Sequence, residues 1–190
     1  MFLRNLTVID VQTPNSMNDR VCEIGLTMIS GQEIVSSQQF GINPETHWDP
    51  ENIAIHGIRP QDVALAPALP AVWRYVEPLL RHTVVVAHNA PFDLAVLGKA
   101  LNAYGIHPKP LRYLDTCALA KRFYPRAPDR KLGTLCSMLG IQLTGRSGLE
   151  HSRATAELAL DMLRKGMGRG DAPRWVFEHH LYDKTYIRRR

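Results

Sequence analysis

The sequence predicts an α/β fold: a mixed sheet of about five strands flanked by helices. Two observations carry that expectation. Residues 5–41 hold three apolar runs separated by turn-forming residues, the pattern of an antiparallel meander. Beyond them, short apolar runs alternate with stretches of helical period, the pattern of strands joined by helical crossovers.

The first strand reads Asn5 to Thr13, a β-branched apolar run that carries Asp10 near its end. After a turn-rich segment, Pro14 to Arg20, come a second strand at Val21–Ser30 and, past Gly31-Gln32, a third at Glu33–Gly41. Residues 42–60 are polar with scattered prolines and read as a loop carrying Ile55-His56-Gly57-Ile58. Leu69–Leu80 has helical period, with Val72, Trp73, Val76, Leu79 and Leu80 on one face. Thr83–Ala87 is a wholly apolar strand, and His88-Asn89-Ala90-Pro91 turns into a helix reaching about Tyr104. Leu111–Leu114 is a brief strand, followed by Asp115-Thr116 in the manner of an N-cap. Lys131–Leu139 is a short helix stopped by Gly140, and the loop Gly145–Gly148 leads into a last helix to about Lys165.

With 190 residues and 45% hydrophobic content, the chain is expected to form one domain over residues 1–165. Residues 166–190 read as a Gly-rich linker and a basic, aromatic tail ending Arg188-Arg189-Arg190. Trp175, Val176, Phe177, Leu181, Tyr182, Tyr186 and Ile187 equip residues 171–190 for a protein partner or for self-association. No apolar run approaches the ~18 residues of a membrane span, and a strand beginning within the first residues leaves no room for a signal peptide. Cys22, Cys117 and Cys136 stand apart in apolar contexts, as reduced thiols of a cytoplasmic protein do. The net charge of +5 suits a polyanion such as nucleic acid.

Three places are expected to converge. Asp10 and Gln12 lie two apart on a strand, so they share one face. Asp93 stands in the first turn of its helix, where the dipole favours a negative charge. The last helix carries His151, Ala154, Thr155, Leu158 and Met162 at steps of three and four, with His151 heading the stripe.

These residues resemble a family: the proofreading, DEDDh-type 3′–5′ exonucleases of the ribonuclease-H-like superfamily, marked by four acids and a histidine. The likeness runs from about residue 5 to 165. Asp10-Val11-Gln12-Thr13 matches a first motif of the form Asp-x-Glu-Thr, and His88-Asn89-Ala90-Pro91-Phe92-Asp93 matches the second in full. Ile55-His56-Gly57-Ile58, Leu114-Asp115-Thr116, Lys131-Leu132 and Leu139-Gly140-Ile141 are also family-like. The third motif departs. Aligning Arg153-Ala154-Thr155-Ala156-Glu157 without a gap puts Arg146 at the general-base position and His151 at the last acid position; taking His151 as the base instead leaves Ala156 where that acid belongs.

The resemblance implies a ribonuclease-H-like sheet and a site in which acids hold two divalent ions roughly 4 Å apart. It implies that Thr13, His56, Asn89 and Phe92 line a groove for the 3′-terminal nucleotide or a single strand. It also implies impairment. Gln12, Arg146 and His151 stand where a glutamate, a histidine and an aspartate belong, so Asp10 and Asp93 remain with about −1 of charge where about −4 would balance two Mg²⁺ ions. The expectation is therefore no metal cofactor and a nucleic-acid-binding or protein-interacting pseudo-exonuclease, with Arg146 beside Asp10 and Asp93 as an ion-pair partner or phosphate holder. The alternative is an active exonuclease with an atypical site, in which Asp10, Asp93 and His151 hold one divalent ion, Mn²⁺ or Mg²⁺.

Overall fold

In a computed structural model, residues 5–166 and the backbone of 177–179 are described. The strands are β1 (Asn5–Gln12), β2 (Glu23–Ser30), β3 (Glu33–Gly41), β4 (Val84–Ala87), β5 (Leu111–Asp115) and β6 (Phe177–His179). They form one sheet in the order β3-β2-β1-β4-β5-β6. β1, β2 and β3 make the expected antiparallel meander, β4 and β5 run parallel to β1, and β6 pairs antiparallel with β5. The five-strand mixed sheet is thus present, with a three-residue sixth strand on its edge. The remainder of the tail, including its proposed partner-binding aromatic residues and the linker before it, lies outside the described residues.

The helices are α1 (Pro50–His56), α2 (Leu69–Arg81), α3 (Ala90–Ala103), α4 (Thr116–Phe123), α5 (Leu132–Leu139) and α6 (Gly148–Arg164). One helix overturns an expectation, since α1 occupies the stretch read as loop. Pro50 at its first position is preset for helix, and Gly57 closes it at φ +80°, donating its N–H to Ile53 O at 2.7 Å. A residue with a Cβ is strained at that angle.

β1 is buried on both faces, so its alternate residues serve two cores. Ile9 and Val11 pack with Val72, Val76 and Leu97 beneath α2 and α3. Leu6 and Val8 pack with Leu119, Leu135 and Leu158 beneath α4, α5 and α6. Continuing that second face along the strand, the next two side chains are Asp10 and Gln12. The polar pair therefore emerges where the α6-side core runs out.

The β1–β4 ladder ends at Val8↔Val86. Past that point β1 leads away to β2 on one side, while β4 leads into α3 on the other. Such a divergence at the carboxyl ends of parallel strands is where open α/β sheets form a crevice. The expected α6 face is seen: Ala154, Thr155, Leu158 and Met162 are buried, with His151 half-buried at its head. Among the described residues, no helix is long and apolar enough to cross a membrane.

Candidate functional site

The crevice gathers Asp10 and Gln12 from β1, Asp93 from α3 and His151 from α6. Asp93 is there because β1 has lost its parallel neighbour. Its Oδ1 accepts the Val11 N–H at 3.0 Å, in place of the carbonyl that a longer β4 would have offered. Only 4% exposed, Asp93 has its pKa driven well above the ordinary value, first by burial and then by the charge of Asp10. It is held toward its protonated form.

Asp10 has both carboxylate oxygens engaged by the protein. Oδ2 accepts from Gln12 Nε2 at 2.6 Å, and Oδ1 lies 3.6 Å from His151 Nδ1. At that separation the second contact is too long for a good hydrogen bond and is an ion pair when the imidazole is protonated. The His151 pKa is raised, chiefly by this contact, which outweighs burial. Because the folded value exceeds the unfolded one, the pair's stabilisation is complete below about pH 6.5 and fades as pH rises through the folded-state value. An NMR titration should show His151 titrating above an ordinary histidine and falling to or below it in Asp10→Asn. Equal titration in both proteins would contradict the pairing.

Glu23 is a member of the group that the motifs did not reveal. It sits opposite Gln12 in the β1–β2 ladder and is 3% exposed. The Gly148 N–H at the start of α6 donates to its Oε1 at 2.5 Å, and Gln39 Nε2 donates to its other oxygen. Burial is the leading influence and raises the Glu23 pKa against those two donors. Its only sequence signal is an acid heading an apolar strand; its place depends on the β1–β2 register and on where α6 starts.

That start is fixed by two glycines. A Cβ on Gly25, which pairs with Asp10, would overlap the carbonyl of Gly148 and the amide of Leu149. Ser147 caps α6 by accepting from Glu150 N–H, while the Glu150 carboxylate takes the Ser147 N–H. One turn later, Ser152 and Thr27 share a hydrogen bond of 3.0 Å. These contacts hold His151 over Asp10.

Arg146 departs from expectation. Its Nη1 donates to Ala54 O at 2.8 Å, in the last turn of α1, and His151 rather than Arg146 faces Asp10. The reason is local: the α1 carbonyls near its end have no helical donor, and a guanidinium reaching from the loop before α6 supplies one.

Thr13 and His56 form the α1 wall. The His56 Nδ1 accepts from Ile58 N–H at 3.0 Å, so Nε2 carries the proton and donates to Thr13 O at 3.1 Å. Burial lowers the His56 pKa, in keeping with a neutral ring. The Thr13 hydroxyl donates to Asn18 Oδ1 and accepts from Asn52 Nδ2. On the opposite side Asn89 adopts φ +71°, with its N–H on Asp115 Oδ1 at 2.9 Å, and Phe92 stands 42% exposed. His88 donates from Nε2 to Arg130 O at 2.8 Å and meets the Thr116 hydroxyl through Nδ1.

This donor set does not fit a pair of Mg²⁺ ions. Such ions want several carboxylate oxygens free to coordinate. Here the Asp10 oxygens face an amide and an imidazole, Asp93 is turned to a backbone N–H, and Glu23 is turned to Gly148 and Gln39. Among the described residues no group of three or more His, Cys, Asp or Glu side chains is arranged to hold a metal.

A family profile described as Exonuclease matches residues 7–156. Over 176 residues, 91% of this chain, the sequence is 27% identical to a PolC-type DNA polymerase III from Bacillus cereus, of which it covers 12%. It is 32% identical over 158 residues to a DNA polymerase III subunit epsilon-like protein from Rhodobacter capsulatus, covering 80% of this chain and 22% of that one. The chain thus spans a small part of these curated relatives. Among solved structures, the nuclease domain of 3′hExo, a DEDDh family member bound to rAMP, superposes with TM-score 0.75 at 20% identity, covering 87% of this chain and 94% of that chain. Exonuclease X in complex with 5′-overhanging duplex DNA superposes with TM-score 0.70 at 23% identity, covering 85% of this chain and 92% of that chain. These likenesses establish the ribonuclease-H-like fold.

Proposed function

The chain belongs to the exonuclease family, and from that premise we propose that it is a pseudo-exonuclease, binding the 3′ end of a nucleic acid strand without hydrolysing it. The observation that carries this reading is the engagement of both Asp10 oxygens, by Gln12 and by His151. In a two-metal nuclease a carboxylate of this kind holds the ions; here an imidazole whose pKa is raised stands against it. The structures bound to rAMP and to DNA support a nucleic-acid ligand for the groove between α1 and α3. Thr13, His56 and Asn89 would form its polar walls, and Phe92, exposed beside Asp93, offers a face on which a base can stack.

Fluorescence anisotropy with a 5′-labelled dT12 tests the reading. Binding is expected to weaken steeply as salt rises, and Phe92→Ala is expected to cost roughly tenfold in affinity, the loss of one stacked base. The oligonucleotide should remain full length in Mg²⁺. Affinity indifferent to salt would remove the nucleic-acid ligand. The rival reading, a slow nuclease built on one ion at Asp10, Asp93 and His151, has in its favour an imidazole nitrogen beside a carboxylate, a donor pair that Mn²⁺ or Zn²⁺ accepts. Shortening of the oligonucleotide in Mg²⁺ or Mn²⁺ that vanishes in Asp10→Ala would establish that rival.

A further inference from the structure

Beside the crevice lies a cleft of about 720 Å³ lined by His88, Asn89, Cys117, Asp129, Arg130, Lys131 and Leu132. A second hollow of about 450 Å³ adjoins it across Asp129 and Arg130 and is lined by Lys121, Tyr124 and Pro125 among others. The last turn of α4 and the segment that joins it to α5 are rich in cations: Lys121, Arg126, Arg130 and Lys131 are all exposed. Among the described residues, none of these four lies in an ion pair of 4.0 Å or less. One acid, Asp129, stands among them, accepting the Lys131 N–H at 2.8 Å; its charge offsets one of the four cations and leaves the ledge net positive. The ledge is held in place relative to the crevice by His88, whose Nε2–H donates to the Arg130 carbonyl while its residue begins the turn into α3.

Resting on the reading above, we propose that this ledge is a second contact for the same ligand, holding backbone phosphates of the single strand upstream of its 3′ end. A strand whose terminus lies against Thr13 and His56 and whose bases pass Phe92 leaves the crevice on the β4–β5 side, where the cations stand. Four exposed cations beside a cleft that shares Asn89 with the groove, against one carboxylate, Asp129, suit a run of phosphodiesters rather than one anion. The ledge makes affinity depend on strand length: short strands meet the groove alone, and longer ones add the phosphate contacts.

Anisotropy with 5′-labelled dT4, dT6, dT9 and dT12 reads this directly. In the unaltered protein affinity should climb with length and then level off. In Arg130→Glu/Lys131→Glu the climb should disappear, with dT12 losing tenfold or more and dT4 changing less than twofold. Arg130→Ala/Lys131→Ala should reduce the salt slope for dT12 by about 1.4, two phosphates at about 0.7 each. Thermal melts equal to the parent's confirm that these surface changes leave the fold intact. A length dependence that both double variants leave unchanged overturns the ledge while the groove reading stands. Absence of binding at every length overturns both.

Discussion

Changing Gln12→Glu, Arg146→His and His151→Asp together is expected, if the chain is the pseudo-exonuclease proposed above, to produce a metal-dependent nuclease. The rate of 3′ shortening in Mg²⁺ should rise by at least roughly 10³-fold over the parent, a modest share of what a two-metal site supplies. The physical reason lies in what surrounds Asp10. The triple change removes the amide on its Oδ2 and the imidazole on its Oδ1 and adds two carboxylates, so four acids converge on the crevice with no cation to balance them. Without metal that arrangement should be less stable than the parent by about 1–3 kcal/mol, through like-charge repulsion beside the buried Glu23 and Asp93. Added Mg²⁺ should restore the melting temperature of the variant and leave that of the parent unmoved. The thermal readout matters because it registers ion binding even where catalysis is poor. A parent whose melting temperature climbs with millimolar Mg²⁺, or which shortens the oligonucleotide as fast as the variant, contradicts the proposed loss of activity.

Gly25→Ala should be the most destabilising glycine-to-alanine change among the described residues, at roughly 2–4 kcal/mol by chemical denaturation. The added carbon meets the backbone of Gly148 and Leu149, which has no rotamer by which to yield. Relief requires α6 to lift from β2, which breaks the Gly148 N–H contact to Glu23 and carries His151 away from Asp10. The same substitution should therefore also lower the His151 pKa toward that of an ordinary histidine. Gly41→Ala is the matched control, since a Cβ there meets only side-chain atoms at 3.6 Å or more. It should cost less than about 1 kcal/mol. Equal losses at the two positions would show that the α6–β2 approach is not tight.

β1 and β4 were legible because burial on both faces leaves apolar runs rich in Val, Ile and Leu, whereas β3, an exposed edge strand, was legible from the Gly31-Gln32 turn before it. β3 occupies Glu33–Gly41 as read, and β1, β4 and β5 differ from their expected bounds by a residue. α1 was missed because a seven-residue helix gives little periodicity, although Pro50 and Gly57 marked its ends. Within the crevice, Asp10, Gln12 and Asp93 could be found because strand alternation and helix position act locally. Glu23 could not, since nothing within its own strand distinguishes it from an acid at a strand's mouth. The partner of Arg146 was equally hidden: loop and helix are about ninety positions apart, and their meeting depends on the sheet between them.

That meeting bears on how the crevice opens. α1 has no side-chain cap at its start and is far shorter than the ~12 residues at which isolated helices begin to hold themselves. Its support comes from outside: Asn52 and His56 bonded to Thr13, and the Arg146 guanidinium on the Ala54 carbonyl. A wall tied by Arg146 to the loop before α6 does not swing independently of that loop. The α1 wall and the loop before α6 are therefore expected to loosen together, so that Arg146→Ala should raise amide exchange in α1 as well as in its own loop.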